Sequence, residues 1–205
     1  MARPRYSCQI LDRISKAAFG DVFLVSDFRD IAPESAVKMA LSRFADENII
    51  RRVRRGVYDK PEYSELLHEY AAPHLDRVAQ AVARNFGWMI VPYGDAALHM
   101  LGLSPQVPAK WVFASDGPYK IYKCGTAEIQ FKHVANKDIN GLSFTSALVV
   151  QALKCLGKNS VGNPIISYLA SSLTDEQKQM LLLETYGTTA WVYEIIQRIC
   201  TYNVL

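Results

Sequence analysis

PESAVKMALSRFADENIIRRVRRGVYDKP, residues 33–61, sets the fold of the region around it. Val37, Ala40, Leu41 and Phe44 fall at i, i+3, i+4 and i+7, the spacing that lays one apolar stripe of a helix on a core. The opposite side carries Ser35, Lys38, Met39 and Ser42. Arg51, Arg52, Arg54 and Arg55 follow around Val53, and Gly56, Val57 and Tyr58 close a short β-hairpin with glycine in the turn. A helix succeeded by a basic hairpin is the order of a winged helix-turn-helix. A helix can enter a major groove and present short polar side chains to base edges, while an arginine-rich hairpin reaches phosphates or a minor groove. Strand alternation within the hairpin puts arginine on both faces. At least two of the four must therefore point to solvent or to a partner, because a buried unpaired guanidinium is prohibitively costly.

Working back towards the N-terminus, Ile10, Leu11, Ile14, Ala17 and Ala18 predict a helix over 8–18, capped by Ser7 and ended by Gly20. Residues 26–30 predict a short second helix capped by Ser26 or Asp27. Pro33 then starts the third helix, where its missing N–H costs nothing, and Glu34 suits the dipole of the first turn. The winged helix-turn-helix domain spans 1–61. The polar, proline-bearing segment 60–65 reads as a linker, and a second domain covers 66–205.

That second domain begins with a helix after Pro73, with Leu75, Val78, Ala79, Val82, Ala83 and Phe86 on its buried side and Gly87 at its end. A buried strand is predicted at 88–91 and a short helix at 96–101 stopped by Gly102. Three strands follow at 111–114, 119–124 and 127–133, then helices at 143–156, 161–170, 174–184 and 188–200. Tyr186, Trp191, Tyr193 and Ile195 there could supply a dimer or partner surface, with an internal core the preferred reading. The fold class is α+β: a winged helix-turn-helix followed by a mixed strand and helix domain ending in several helices.

Charge supports the division. Residues 1–60 hold 12 Lys and Arg against 8 Asp and Glu, whereas 61–205 hold 11 against 12, so the whole excess of the net +3 lies in the N-terminal piece. No apolar run approaches the roughly 20 residues a bilayer span needs, and the first residues have scattered charge in place of a signal peptide's apolar centre. A cytoplasmic protein is expected, with no membrane association. Cys8, Cys124, Cys155 and Cys200 lie far apart without a CxxC pair, and His68, His74, His99 and His133 show no ligand spacing. No metal or other cofactor is expected, and each cysteine reads as a small buried hydrophobe.

Enzymatic signatures are sparse. GxGxxG, GxxxxGK[ST], GxSxG and HExxH are all absent. His68 and Glu69 are adjacent and read as solvated surface, and Asp95 and His99, four apart, read as a local hydrogen-bonded pair. Asp116, Glu128, Lys132 and Asp138 leave open a metal-dependent nuclease, with Glu128, Gln130 and Lys132 alternating along one strand face. A half-exposed strand explains the same alternation without chemistry.

Two blocks carry a resemblance. DFRD at 27–30 with the 33–61 stretch, and IVPYGDAALHMLGLSPQVPAKWVFASDG at 90–117, resemble the AbiEi-like antitoxins of type IV toxin–antitoxin systems, over roughly residues 8–133. The resemblance implies a winged-helix domain that represses its own operon and a second domain that counters a nucleotidyltransferase-like toxin without a stable complex. From the sparse enzymatic signatures above, no enzymatic activity is expected. Carried onto this sequence, the contacts to double-stranded DNA of its own promoter would come from Ser35, Lys38 and Ser42 on the helix and Arg51, Arg52, Arg54 and Arg55 on the wing. Repressors of this kind read pseudo-palindromic sites, so two copies would sit on DNA as a homodimer. A different class of reading remains open: a basic hairpin that docks an acidic protein partner.

Overall fold

The computed structural model describes residues 4–108, 110–134 and 138–202. The outermost residues of both expected domains, 1–3 and 203–205, lie outside the described residues. The chain is α+β and divides into two compact units, 1–87 with 123–128, and 88–122 with 129–205. The division falls after Gly87 rather than at 62–65, so the expected linker belongs to the first unit.

The first unit opens with helix α1, Arg5–Lys16, which buries Ile10 and Ile14. It begins earlier than predicted, after Pro4, and Ser7 is no cap: it sits inside the helix, buried, with no hydrogen-bond partner on its Oγ. Strand β1, Val22–Leu24, escaped the sequence reading. Its three apolar residues show no alternation, and only pairing with a distant strand makes them extended. The expected short helix is a single 3-10 turn, Val25–Phe28. Asp27 acts from inside that turn, its carboxylate accepting the Leu24 N–H at 2.8 Å.

Helix α2, Glu34–Asp46, lies where periodicity placed it, with Val37, Ala40, Leu41 and Phe44 fully buried. Its end is built by Asn48 in the left-handed region (φ 57°). The Ile49 N–H returns to the Phe44 carbonyl at 2.9 Å and the Asn48 N–H to Ala45 at 3.1 Å. This Schellman arrangement satisfies the last carbonyls and turns the chain directly into the next strand. Strands β2, Arg51–Arg54, and β3, Val57–Asp59, form the predicted hairpin around Gly56, whose φ of +79° favours glycine. β3 also pairs antiparallel with β1, giving a sheet ordered β1-β3-β2. One core joins α1, α2, the 3-10 turn and this sheet through Ile10, Ile14, Phe28, Leu41, Phe44 and Tyr58.

Lys60 is not linker. Its backbone continues the β1–β3 pairing through Gly20 and Asp21, and its ammonium donates to the Ser15 and Ala17 carbonyls at 2.8 and 2.7 Å, closing the end of α1. Beyond it come β4, Tyr63–Ser64, and β5, Glu69–Tyr70, a small antiparallel hairpin. Helix α3, Leu75–Phe86, ends at left-handed Gly87 as expected and packs on β1. Arg77 pairs with Asp21 and Arg84 with Asp27 across that contact. Phe86, expected inside, is half exposed: it occupies the last turn, beyond the stripe Val78, Ala79, Val82.

A four-stranded sheet runs β6-β7-β9-β8, with β6 (Ile90–Pro92) antiparallel and β9 (Ala127–His133) parallel to β7 (Trp111–Ser115). β8 is Lys120–Cys124. Trp88, predicted in the first strand, stands outside it and stacks edge-on against Phe131; a Cβ on Gly117 would come within 2.5 Å of its indole. The short helix α4 is Asp95–Met100. Helix α5, Phe144–Leu156, is apolar nearly all round and therefore central, with α6 (Asn163–Ser172), α7 (Asp175–Glu184) and α8 (Ala190–Thr201) sharing its core. Ile195 lies in that core, but Tyr186, expected with it, is exposed. Cys8 and Cys155 are likewise exposed, contrary to expectation, while Cys124 is buried.

The start of α5 shows how a polar cluster is held. Ser143 caps the helix, and its own N–H and hydroxyl donate to the Glu184 carboxylate at 2.9 and 2.8 Å. Burial works to raise the Glu184 carboxyl, but hydrogen bonds from Ser146 and from the backbone and side chain of Ser143 outweigh it and hold the group below the usual carboxylate range. A carboxyl lowered in the folded state stabilises above its unfolded value, about 4.3, and that contribution is lost as pH falls through the folded value. Glu184→Gln is expected to cost about 1 kcal/mol at pH 7, the size of a lost cap. Urea midpoints should show the gap from wild type closing below about pH 4.

Candidate nucleic-acid interface

The outer face of α2 presents Ser35, Lys38 and Met39 to solvent, with Ser42 half-buried. Lys38 is held by Glu34, four residues earlier, at 2.5 Å. That hydrogen bond, and then the Lys38 charge, keep the Glu34 carboxyl below its ordinary range. Met39 is 61% exposed, the one large apolar side chain on this face among the described residues. Polarity and periodicity selected the three hydrophilic residues and passed over Met39 as a reader. Its signal was its place on the polar side of an otherwise well-ordered apolar stripe.

The four arginines of the β2–β3 hairpin divide into different jobs. A bulge separates them: Arg51 pairs with Asp59, Arg52 with Tyr58 and Arg54 with Val57, leaving Val53 out of register. Val53 is thereby buried between arginines, and the uneven alternation in the sequence is accounted for.

Arg51 is committed to the fold. Its Nε and Nη2 donate to the two carboxylate oxygens of Asp59 at 3.0 and 2.5 Å, and its Nη1 donates to the Ala71 carbonyl at 2.7 Å. Asp59 is buried, so this fork neutralises a carboxylate that would otherwise be unpaired inside the protein. Arg51, expected at the DNA interface, thus engages its Nε and both terminal nitrogens within the fold, with its side chain still 29% exposed. The partner lay eight residues away, and only the hairpin's pairing brings it opposite.

Arg52 joins the hairpin to helix α2. Its Nη2 donates to Ser42 Oγ at 2.8 Å and its guanidinium lies over the Tyr58 ring at 5.5 Å, while the side chain stays exposed. Two of the expected contact residues, Ser42 and Arg52, thus form one unit across the seam between α2 and β2. Arg54 is half-buried, its charge opposing the burial that raises the Cys124 thiol. Arg55 is exposed at the tip beside Gly56.

The chain's other candidate chemistry is dispersed. Asp116 accepts the Met89 N–H at 2.9 Å, Asp138 pairs with Lys154 at 2.7 Å, and Lys132 donates to the Tyr93 hydroxyl at 2.9 Å. The Asp95–His99 pair does not form: His99 stands edge-on to Trp111, and its Nδ1 is buried without a hydrogen-bond partner. No group of three or more His, Cys, Asp or Glu poised for a metal occurs among the described residues. No helix among them is long and apolar enough to cross a membrane.

A family profile matches residues 9–181, reaching from α1 into α7 and covering part of each compact unit. The chain belongs to the DUF6088 family, a family of unknown function. No curated protein matches it. The DUF6088 match takes in α2 and the whole arginine hairpin, so the helix, the bulged hairpin and the Arg51–Asp59 fork all lie within the family's span. Helix α8 lies beyond the matched residues.

Proposed function

We propose that the first unit is a winged helix-turn-helix that binds double-stranded DNA, and that the protein regulates transcription from its own promoter in the cytoplasm. The observation that carries this reading is the coupling of an open, mostly uncharged helix face to a basic hairpin through Arg52 and Ser42. Such coupling sets the wing at a fixed angle to the helix, which a reader of adjacent groove and backbone requires. The element order α1, β1, 3-10 turn, α2, β2, β3 with sheet order β1-β3-β2 supports it.

In this reading α2 lies in the major groove with Ser35 and Lys38 at base edges or phosphates. Lys38 exchanges Glu34 for DNA on binding. Met39 faces the groove too, and an exposed thioether there suits the 5-methyl of a thymine. Arg55 contacts phosphate at the wing tip and Arg54 supports it; Arg52 contacts phosphate while keeping its hold on the helix. Two copies on a pseudo-palindromic site follow from the symmetry of such sites. The antitoxin role against a nucleotidyltransferase-like toxin, without a stable complex, rests on the resemblance alone and concerns the second unit.

A base-substituted duplex tests the helix assignment. On the DNA upstream of the gene, Met39→Ala is expected to weaken binding about 5- to 10-fold, the scale of a lost apolar base contact. Replacing thymines by uracil one at a time should weaken wild-type binding at one or two positions and leave Met39→Ala indifferent there. Equal sensitivity of both proteins to every uracil would take Met39 out of the interface.

A further inference from the structure

The β4–β5 hairpin is a surface that folding does not account for. Glu62 accepts the Ala71 N–H at 2.8 Å, Tyr63 faces Tyr70, and Ser64 faces Glu69. The tip follows with Glu65, Leu66, Leu67 and His68, closed by the Leu67 N–H on Ser64 Oγ at 3.3 Å and by a left-handed His68 (φ 53°). A two-stranded hairpin of this size is marginal alone in water, so its side chains ordinarily turn inward onto a core. Here they do not. Leu66 is 89%, Leu67 65%, Tyr70 51% and Tyr63 42% exposed, and none belongs to the core around Phe44 or to the core around α5. The two tyrosines stack edge to face at 5.2 Å, rigidifying the strands and flanking an open pocket of about 400 Å³ that Leu67 also lines.

The charge of this element is as uneven as its polarity. Residues 61–76 carry Glu62, Glu65, Glu69 and Asp76 and not one lysine or arginine. The three glutamates are exposed and frame the leucines and tyrosines. Four apolar side chains clustered in eight residues exceed the scattered single exposures of an ordinary surface. Aromatic and leucine anchors inside a charged rim are the anatomy of a protein-binding patch. The sign of the rim selects the partner: a phosphate backbone is repelled, and a surface with lysine and arginine around an apolar cleft is attracted.

We propose that the β4–β5 hairpin docks into a second protein that offers an apolar cleft rimmed by basic residues, with Leu66 and Leu67 as the inserted anchors. This places a partner site on the same unit as the arginine wing, carried by residues that the DNA reading does not use. Arg51 connects the two, since its Nη1 donates to Ala71 at the foot of the hairpin while its other nitrogens brace β3. The docking site stands whether or not the wing meets DNA.

The test is a full-length chain carrying the photo-cross-linker p-benzoylphenylalanine at Leu66, irradiated in cells of its own host, with the linked peptide identified by mass spectrometry. The comparison chain adds Glu62→Lys, Glu65→Lys and Glu69→Lys. The expected result is an adduct to one other protein, at an apolar segment flanked by lysine or arginine, with yield falling about tenfold or more on charge reversal. The unfolding midpoint of the charge-reversed chain should stay at the wild-type value, separating lost docking from lost folding. No adduct, an adduct only to another copy of this chain, a linked segment lacking basic neighbours, or a yield indifferent to the reversal would each overturn the proposal. A gel shift on upstream DNA, run on the same proteins, reports separately on the wing and helix.

Discussion

Arg51→Ala is expected to destabilise the first unit by about 3–5 kcal/mol, the cost of stranding a buried carboxylate. Asp59 is 1% exposed, and its charge is met by a forked guanidinium that also ties the Ala71 carbonyl, so one truncation leaves a buried anion and a bare acceptor together. The chemistry predicts an asymmetry between variants. Arg51→Lys keeps the charge but loses the fork and should recover only part of the loss. Replacing both partners by apolar residues of similar volume, Arg51→Met with Asp59→Leu, should come close to wild type, because a buried pair exchanged for packing is often neutral. Hydrogen exchange of β1–β3 amides in urea measures this. Trp88, Trp111 and Trp191 all belong to the second unit, so tryptophan fluorescence follows that unit while exchange follows the first. A wild-type exchange pattern in Arg51→Ala would remove the fork from its structural role and return Arg51 to the candidate interface.

The second large effect concerns the exposed half of the wing. Arg52→Ala with Arg55→Ala is expected to weaken binding to upstream DNA on the order of 10- to 100-fold at low salt, as two charge-assisted phosphate contacts are lost. The dependence of log affinity on log salt should flatten by about 2, near 0.9 for each phosphate released. Because Arg52 also holds Ser42, the two single variants differ in kind. Arg55→Ala should weaken all sequences alike, whereas Arg52→Ala should also blur discrimination between the operator and a scrambled duplex. An unchanged slope in the double variant would show that the wing does not touch phosphate.

Much of the first unit was legible because its signals are local. Val37, Ala40, Leu41 and Phe44 announce α2 by their spacing, and Gly56 announces the turn of the hairpin; both lie where the sequence puts them. What escaped depends on contacts between distant residues. β1 is three apolar residues whose extended form exists only through pairing with β3. Arg51 read as one arginine among four until the bulge at Val53 and the hairpin's return placed Asp59 against it. The 60–65 segment read as linker because Pro61 and the glutamates look solvated. They are, yet the same residues frame a hairpin whose leucines are solvated too, a combination that composition cannot separate from a flexible connection. In the second unit, α5 was foreseeable from its largely apolar sequence, while the anchoring of its cap residue Ser143 by Glu184, 41 residues later, was not.

The most direct measurement of the central claim is a gel-shift titration of the full chain on the DNA immediately upstream of its gene, against a scrambled duplex, at two salt concentrations. Binding that prefers the upstream duplex by about 100-fold or more and falls steeply with salt is the predicted result. Equal, weak binding to both duplexes would contradict the account and leave the arginine hairpin as a basic surface without a sequence to read.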